Sequence, residues 1–186
     1  MIRLETERLV IRDHVLEDLI PMHTLVSDAD TMKFMPDIKT DTLEQTRQNL
    51  ETAIRESVRG EDRGKYFFAV TDKNGIYIGD IGYTVYSRDP DGGKNGHLGY
   101  FILKKYWGKG ITSEAVRAVL RFAFTEGGIL KMETGCARGN TASEAVMVKC
   151  GFIKEADKIR HEWIGGSWRD RVEYRMLKEE WDASNL

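Results

Sequence analysis

Apolar positions recur along this chain with two periods, and each change of period marks a new element. At the front, RLVIR over residues 8–12 is short, apolar and β-branched, and it reads as a strand. A polar turn and a helix over residues 16–26 follow, and then SDADTMKFMPD over 27–37, which has no period and in which Pro36 ends any preceding helix. Asp41 is placed to cap the next helix, with Glu44 completing a capping box, and Leu43, Leu50, Ile54 and Val58 recur at helical spacing. Gly60 stands just past its end, where positive φ is often needed.

The middle of the chain turns aromatic and β-branched. YFFAVT over 66–71 and YIGDIGYTVY over 77–86 read as paired strands, with Asn74-Gly75 suited to a type I′ hairpin turn. Gly79 and Gly82 imply a bulge or a close backbone approach in the second strand. Residues 87–96 read as a loop, and HLGYFIL over 97–103 as another strand. An amphipathic helix over 113–125 follows, with Val116, Val119, Leu120 and Ala123 on its apolar face and Gly127-Gly128 stopping it. A strand over 131–137, a helix over 141–149 ending at Gly151, and strands over 152–164 and 169–177 joined through Gly165-Gly166 complete the pattern. The order β-α-α-β-β-β-α-β-α-β-β describes a mixed α/β (α+β) chain with helices on the faces of a mixed sheet.

Composition narrows the class. The 186 residues suit one domain over 1–186, with 41% hydrophobic and 31% charged residues as in an ordinary soluble protein. A formal net charge of −2 supplies no global basic field to recruit nucleic acid. The two cysteines, Cys136 and Cys150, have no metal-ligand spacing and fit a reduced, cytoplasmic setting. The start, MIRLETERLVIRD, is charged throughout and is not a signal peptide, and no segment approaches the ~20 apolar residues of a membrane span.

The most informative stretch is KKYWGKGITSEA over 104–115, where Gly108 and Gly110 bare the backbone of a strand-to-helix turn and Lys109 charges it. Helix N-termini bind phosphates through unpaired N–H groups when the backbone can come close. A plain corner with a solvated lysine reads equally well from these residues alone. The P-loop pattern is absent, and the dinucleotide fingerprint fails because Ser113 replaces its third glycine.

Together with GNTASEAVMVKCGF over 139–152, this stretch resembles the GNAT superfamily of acyl-CoA-dependent N-acetyltransferases, and within it the Rim-type ribosomal-protein N-terminal acetyltransferases. The resemblance runs from ETERLVIR to WRDRVEYRML. Gly110 matches the central glycine of the superfamily's [QR]-x-x-G-x-[GA] loop, while Trp107 and Thr112 depart from its first and last positions. The resemblance implies a GNAT-like fold, a mostly antiparallel sheet of about six to seven strands with about four helices. It implies acetyl-CoA as co-substrate and no metal. Backbone groups of Phe101, Ile102 and Leu103 would bond the pantetheine arm. The turn of Trp107, Gly108, Lys109, Gly110, Ile111, Thr112 and Ser113 would hold the pyrophosphate. Asn140 and Ser143 would lie near the thioester, although Asn140 or Thr141 also reads as a simple helix cap and Ser143 as a first-turn residue.

Acetyl transfer needs a neutral amine, a stabilised oxyanion and a protonated leaving thiolate. An α-amine of pKa about 7.7–8.0 is roughly a tenth neutral at pH 7, against ~0.04% for a lysine amine. A weak base therefore suffices for an N-terminal acceptor. Glu133 ranks first among candidate bases, ahead of His97 and Asp80, each of which also reads as an ordinary strand residue. Many members of the superfamily use a tyrosine seven residues after the motif's Asn to protonate the thiolate. Met147 stands there, and the Rim-type resemblance offers Ser143 in its place. The oxyanion would take a backbone N–H of residues 100–102. Cys150 reads as a core residue, so the amine attacks directly in a ternary complex.

The expected acceptor is a protein N-terminus or a small primary amine. An acyl-CoA sensor without turnover, or an antibiotic- or polyamine-modifying enzyme, is the alternative. Asp28, Asp30 and Asp37 lie in an acceptor-side loop, and loops 27–37 and 87–96 would shape the cleft. No nucleic-acid or membrane partner is expected, and a homodimer is left open.

Overall fold

The computed structural model describes residues 1–164 and 166–184. Among them, eight strands form one mostly antiparallel sheet, with five α-helices along the chain. The order is β1 (Arg3–Glu5), β2 (Leu9–Asp13), α1 (Leu19–Ser27), α2 (Leu43–Ser57), β3 (Lys65–Asp72), β4 (Tyr77–Arg88), β5 (Lys94–Ile102), α3 (Ile111–Thr125), β6 (Ile129–Ala137), α4 (Thr141–Lys149), β7 (Ile153–Ile164), β8 (Ser167–Leu177) and α5 (Lys178–Ser184). In the sheet the strands run β1-β2-β3-β4-β5-β6-β8-β7, and the pair β5–β6 is parallel. The residues gather into two compact units, one of Met1–Thr84 with Gly99–Val119, the other of Val85–Leu98 with the chain from Leu120 onward.

In the first unit, α1 and α2 bury Met22, Leu25, Val26 and Leu50 on Ala69 and Tyr77, and Phe101 and Leu103 pack against the same cluster. Gly79 and Gly82 are close-approach positions: a Cβ on Gly79 would stand 2.4 Å from Phe101 O, and one on Gly82 2.2 Å from Tyr66 O. The expected bulge is present too, where the register shifts between Val70 and Thr71. In the second unit, β6 sends Met132, Thr134 and Cys136 inward and leaves Lys131, Glu133 and Gly135 half-exposed, the period-2 alternation of a strand with one buried face. Val116, Val119, Leu120 and Ala123 are all fully buried, as the helical period of α3 requires.

Several elements differ from the sequence pattern. Two were not marked by any period: β1 is three residues paired to β2, and α5 (KEEWDAS) has one large apolar side chain, Trp181, which is buried against Phe124 at 5.7 Å between ring centroids. The cap of α2 is Thr42, not Asp41: Thr42 is extended, its Oγ1 accepts from Gln45 N at 3.2 Å, and Gln45 Oε1 accepts from Thr42 N. Asp41 instead pairs with Lys39 at 2.5 Å. Leu43 and Val58 are exposed at the two ends of α2, while Thr46 and Ala53 take buried places on its core face. The 74–75 turn is not type I′, because Asn74 keeps negative φ and only Gly75 is left-handed at 84°. Gly75 N donates to Asp72 O, and the Asp72 carboxylate accepts from Asn74 N and Ile76 N. The 87–96 loop is shorter than expected, since β4 continues to Arg88 and β5 begins at Lys94. Gly165, half of the expected Gly165-Gly166 joint, lies outside the described residues.

Candidate active site

In the first unit, β5 ends at Ile102 and the chain makes a single 3-10 turn over Lys104–Tyr106 before α3 begins. Gly108 and Gly110 have φ of 71° and 74°, a region costly for other residues, and a Cβ on Gly108 would meet nothing within 4 Å. The glycines thus answer a backbone requirement, with open space around the first. The first bond of α3 runs from Glu114 N to Gly110 O at 3.1 Å. The N–H groups of Ile111 and Thr112 precede it and have no carbonyl to reach within the helix. Trp107 ties the turn to β5 through Nε1 to Ile102 O at 2.8 Å, with its indole still 45% exposed. Leu103 N donates to Ile78 O. The Lys109 ammonium stands 5.8 Å from the Tyr106 ring centroid, and its carbonyl accepts from Arg8 at 3.0 Å. This is a bared helix N-terminus suited to an anion.

Asp80 is not a solvated strand carboxylate. It is 6% exposed, accepts from the Tyr77 hydroxyl, and faces His14 Nε2 at 3.5 Å. His14 Nδ1 lies 3.3 Å from Asp18, whose carboxylate takes both arms of Arg12 at 2.7 and 2.8 Å. Burial raises the Asp80 carboxyl above its ordinary range. At Asp18, burial pushes upward too, but the bonds from Arg12, His14 and Val15 N–H outweigh it and hold the carboxyl well below that range. Asp80 Oδ2 makes no hydrogen bond in the protein. This buried acid-base cluster carries no sequence signal, because its members are separated by up to the whole span from β2 to β4. Nearby in sequence to α1, Asp30 pairs with Lys104 at 2.6 Å, Asp28 accepts from Thr31 N at 2.7 Å, and Asp37 is exposed.

In the second unit, His97 and Glu133 come together as register partners of β5 and β6. They line a pocket of about 130 Å³ with Glu155, Ala156, Lys158, Glu173 and Tyr174. Glu133 is bonded by Lys131 at 2.6 Å and by the Tyr86 hydroxyl. Burial raises its carboxyl, but Lys131 and Tyr86 more than offset this, so it holds a proton less readily than an ordinary glutamate. Burial and then Arg171, 3.5 Å away, lower His97 and favour its neutral form. Asn140 is the N-cap of α4, its Oδ1 accepting from Ser143 N at 3.3 Å. The Ser143 hydroxyl bonds the Cys136 thiol, which burial nevertheless pushes up to about 11. Met147 and Cys150 are both wholly buried. Among the described residues, no group of His, Cys, Asp and Glu is arranged to hold a metal.

A mostly antiparallel sheet with a bared glycine turn leading into a central helix defines an acyltransferase architecture of one kind. The model of the acetyltransferase (GNAT) domain matches residues 8–153, most of the chain, and the chain belongs to this family. It is 27% identical over 177 residues to the uncharacterized N-acetyltransferase YnaD of Bacillus subtilis, covering 95% of this chain and 98% of that protein. It is 31% identical over 85 residues to the ribosomal protein uS5-alanine N-acetyltransferase of Escherichia coli, covering 46% of this chain and 44% of that one. The crystal structure of a GNAT-family acetyltransferase from Bacillus anthracis superposes with a TM-score of 0.80 at 28% identity, over 96% of this chain and 99% of that one. RimL, a ribosomal L7/L12 α-N-protein acetyltransferase solved with coenzyme A, superposes at 0.81 with 20% identity, over 95% and 98% of the two chains, a likeness of fold.

Proposed function

We propose that the chain, as one domain over residues 1–186, is a cytoplasmic N-acetyltransferase moving an acetyl group from acetyl-CoA to a primary amine, foremost a protein N-terminal α-amine as in the Rim-type branch. The observation that carries this is the turn of Gly108 and Gly110, two left-handed glycines opening onto the first turn of α3. It fits a pyrophosphate in two ways: N–H groups without helical partners, and no side chain at Gly108 to obstruct approach. The names of the uS5-alanine and L7/L12 enzymes support a protein N-terminus as acceptor.

In this reading, N–H groups of residues 108–113 bind the pyrophosphate and Lys109 adds attraction. Backbone groups of Phe101 to Leu103 orient the pantetheine arm, and a strand N–H of residues 100–102 receives the oxyanion. The amine nitrogen bonds the acetyl carbon while the carbon–sulfur bond breaks. The amine gives up one proton, and the departing thiolate takes one. His97, Glu133 and Asp80 are the groups available to accept the first proton, and neutral His97 is better suited than ion-paired Glu133. Ser143, at the start of α4, orients or relays the second. Burial of Cys150 supports direct attack over a covalent acyl-enzyme.

The test is titration calorimetry with acetyl-CoA on Gly110→Asp and Gly110→Asn. Both carry the same backbone strain, and only Asp adds charge. We expect the Asp variant to bind at least about tenfold more weakly than the Asn variant. Equal affinity for the two would remove the phosphate from this turn. Turnover is then read on a panel of N-terminal peptides, polyamines and aminoglycosides. The buried Met147, with no proton to give, keeps one alternative in view, an acyl-CoA sensor that binds tightly and turns over none of them.

A further inference from the structure

The turn is held from outside by residues far away in sequence but inside the same unit. The chain bends back between β1 and β2, with Thr6 N donating to Leu9 O and Leu9 N to Thr6 Oγ1. That bend delivers three donors and an ion pair to Glu114, in the first turn of α3. Thr6 Oγ1 donates to Oε1 at 2.5 Å and Arg8 N to the same oxygen at 3.0 Å. Arg8 Nε donates to Oε2 at 2.6 Å, and Nη2 stands 2.6 Å from the same oxygen in an ion pair. The remaining arm, Arg8 Nη1, donates to Lys109 O at 3.0 Å.

Two consequences follow from this arrangement. A trans peptide points its C=O and the next N–H in opposite directions. Arg8, by holding the Lys109 carbonyl, therefore turns the Gly110 N–H away from itself. Gly110 is where this matters, because a glycine at φ 74° leaves that peptide free to rotate. The second consequence concerns charge. A carboxylate in a helix's first turn is drawn to the same N–H groups that an external phosphate would use. Glu114 is such a competitor, and Arg8 and Thr6 occupy both of its oxygens. Arg8 is 46% exposed, so the pair adds little to folding stability, and its geometry matters more to what the turn can bind.

We propose that Arg8 is a positioning residue for the acyl donor: it sets the 109–110 peptide so that the Gly110 N–H is offered to a pyrophosphate, and it keeps the Glu114 carboxylate from taking the phosphate's place. This rests on the pyrophosphate reading of the turn. It adds a residue from the opposite end of the chain that touches neither reacting group.

The discriminating pair of probes is coenzyme A and pantetheine, which lacks the pyrophosphate, each titrated calorimetrically into the full chain. Wild type is expected to bind coenzyme A much more tightly than pantetheine. Arg8→Ala is expected to lose about tenfold on coenzyme A, the worth of a charged hydrogen bond, and nothing on pantetheine. Adding Glu114→Gln to Arg8→Ala should recover part of that loss, since the competing charge is gone. Arg8→Lys, which keeps the charge but cannot span Glu114 and Lys109 O together, should fall between. This milder change also serves if Arg8→Ala fails to fold. Equal losses on both probes would make Arg8 a merely structural residue and overturn the inference, as would no loss on either. If wild type itself binds the two probes alike, the pyrophosphate reading falls, and the inference with it.

Discussion

His97 and Glu133 stand side by side in the parallel ladder, and their surroundings separate them as bases. Glu133 is engaged by Lys131 and Tyr86. His97 is pressed toward its neutral form by burial and Arg171, with Glu173 and Glu133 pulling weakly the other way. In the proposed role His97 accepts a proton only as the neutral imidazole, and the lowered value keeps it in that form below the usual imidazole range. The acceptor amine titrates too, so the informative quantity is the ratio of wild-type to His97→Gln kcat/KM across pH. We expect that ratio to be flat above pH about 6.5 and to fall toward one only below it. A ratio of one throughout would take the proton-accepting role from His97. Sequence inspection found both residues and ranked them in the other order. Lys131 is Glu133's neighbour two residues back on β6, but Tyr86 and Arg171 converge on the pair only once β4, β5, β6 and β8 are aligned, and no local pattern announces these two.

Among the elements, the helix over Leu43–Ser57 shows how a pattern can be right about existence and wrong by one residue in placement. Asp41-x-x-Glu44 and Thr42-x-x-Gln45 both satisfy the capping-box template. The backbone chooses between them: Thr42 is extended and its hydroxyl meets Gln45 N, while Lys39 draws the Asp41 carboxylate outward. Thr42→Ala is accordingly expected to cost about 1 kcal/mol in urea denaturation. Asp41→Ala should leave the midpoint where it is. The reverse result would restore the cap to Asp41. α3, with its strong period and glycine stop, was legible to within a few residues, and α4 was legible from its capping residues and the glycine at its end. β1 and α5 were not, because β1 is held by pairing to β2 and α5 by one buried tryptophan, and neither leaves a period in the sequence.

For the molecule as a whole, what the sequence conveyed was the fold family and the glycine turn, both carried by contiguous residues. What it hid was charge assembled at a distance, as in Arg8 with Glu114 or His14 between Asp18 and Asp80. These assemblies set how stability depends on pH. Asp18 and Glu114 in the first unit and Glu133 and Glu180 in the second all have lowered carboxyls. A lowered carboxyl contributes stability above its unfolded value, near 4, and loses it as pH falls through the folded value. His97 acts in the same direction at higher pH: below about 6.5 the unfolded chain takes a proton that the folded one resists, until its own lower value is reached. Asp80 opposes them, because its raised value favours the folded state in acid and that favour is lost as pH rises. Acid unfolding should therefore come in two stages, a shallow decline in Tm starting below pH about 6.5 and a steep one below about 4. His97→Gln should erase the first stage and leave the second. Asp18→Asn, which strands Arg12 beside a largely buried partner site, should cost about 3 kcal/mol at pH 7 and progressively less as acid protonates Asp18 in the wild type. A constant penalty across that range would mean that Asp18 acts through packing, with its charge contributing nothing.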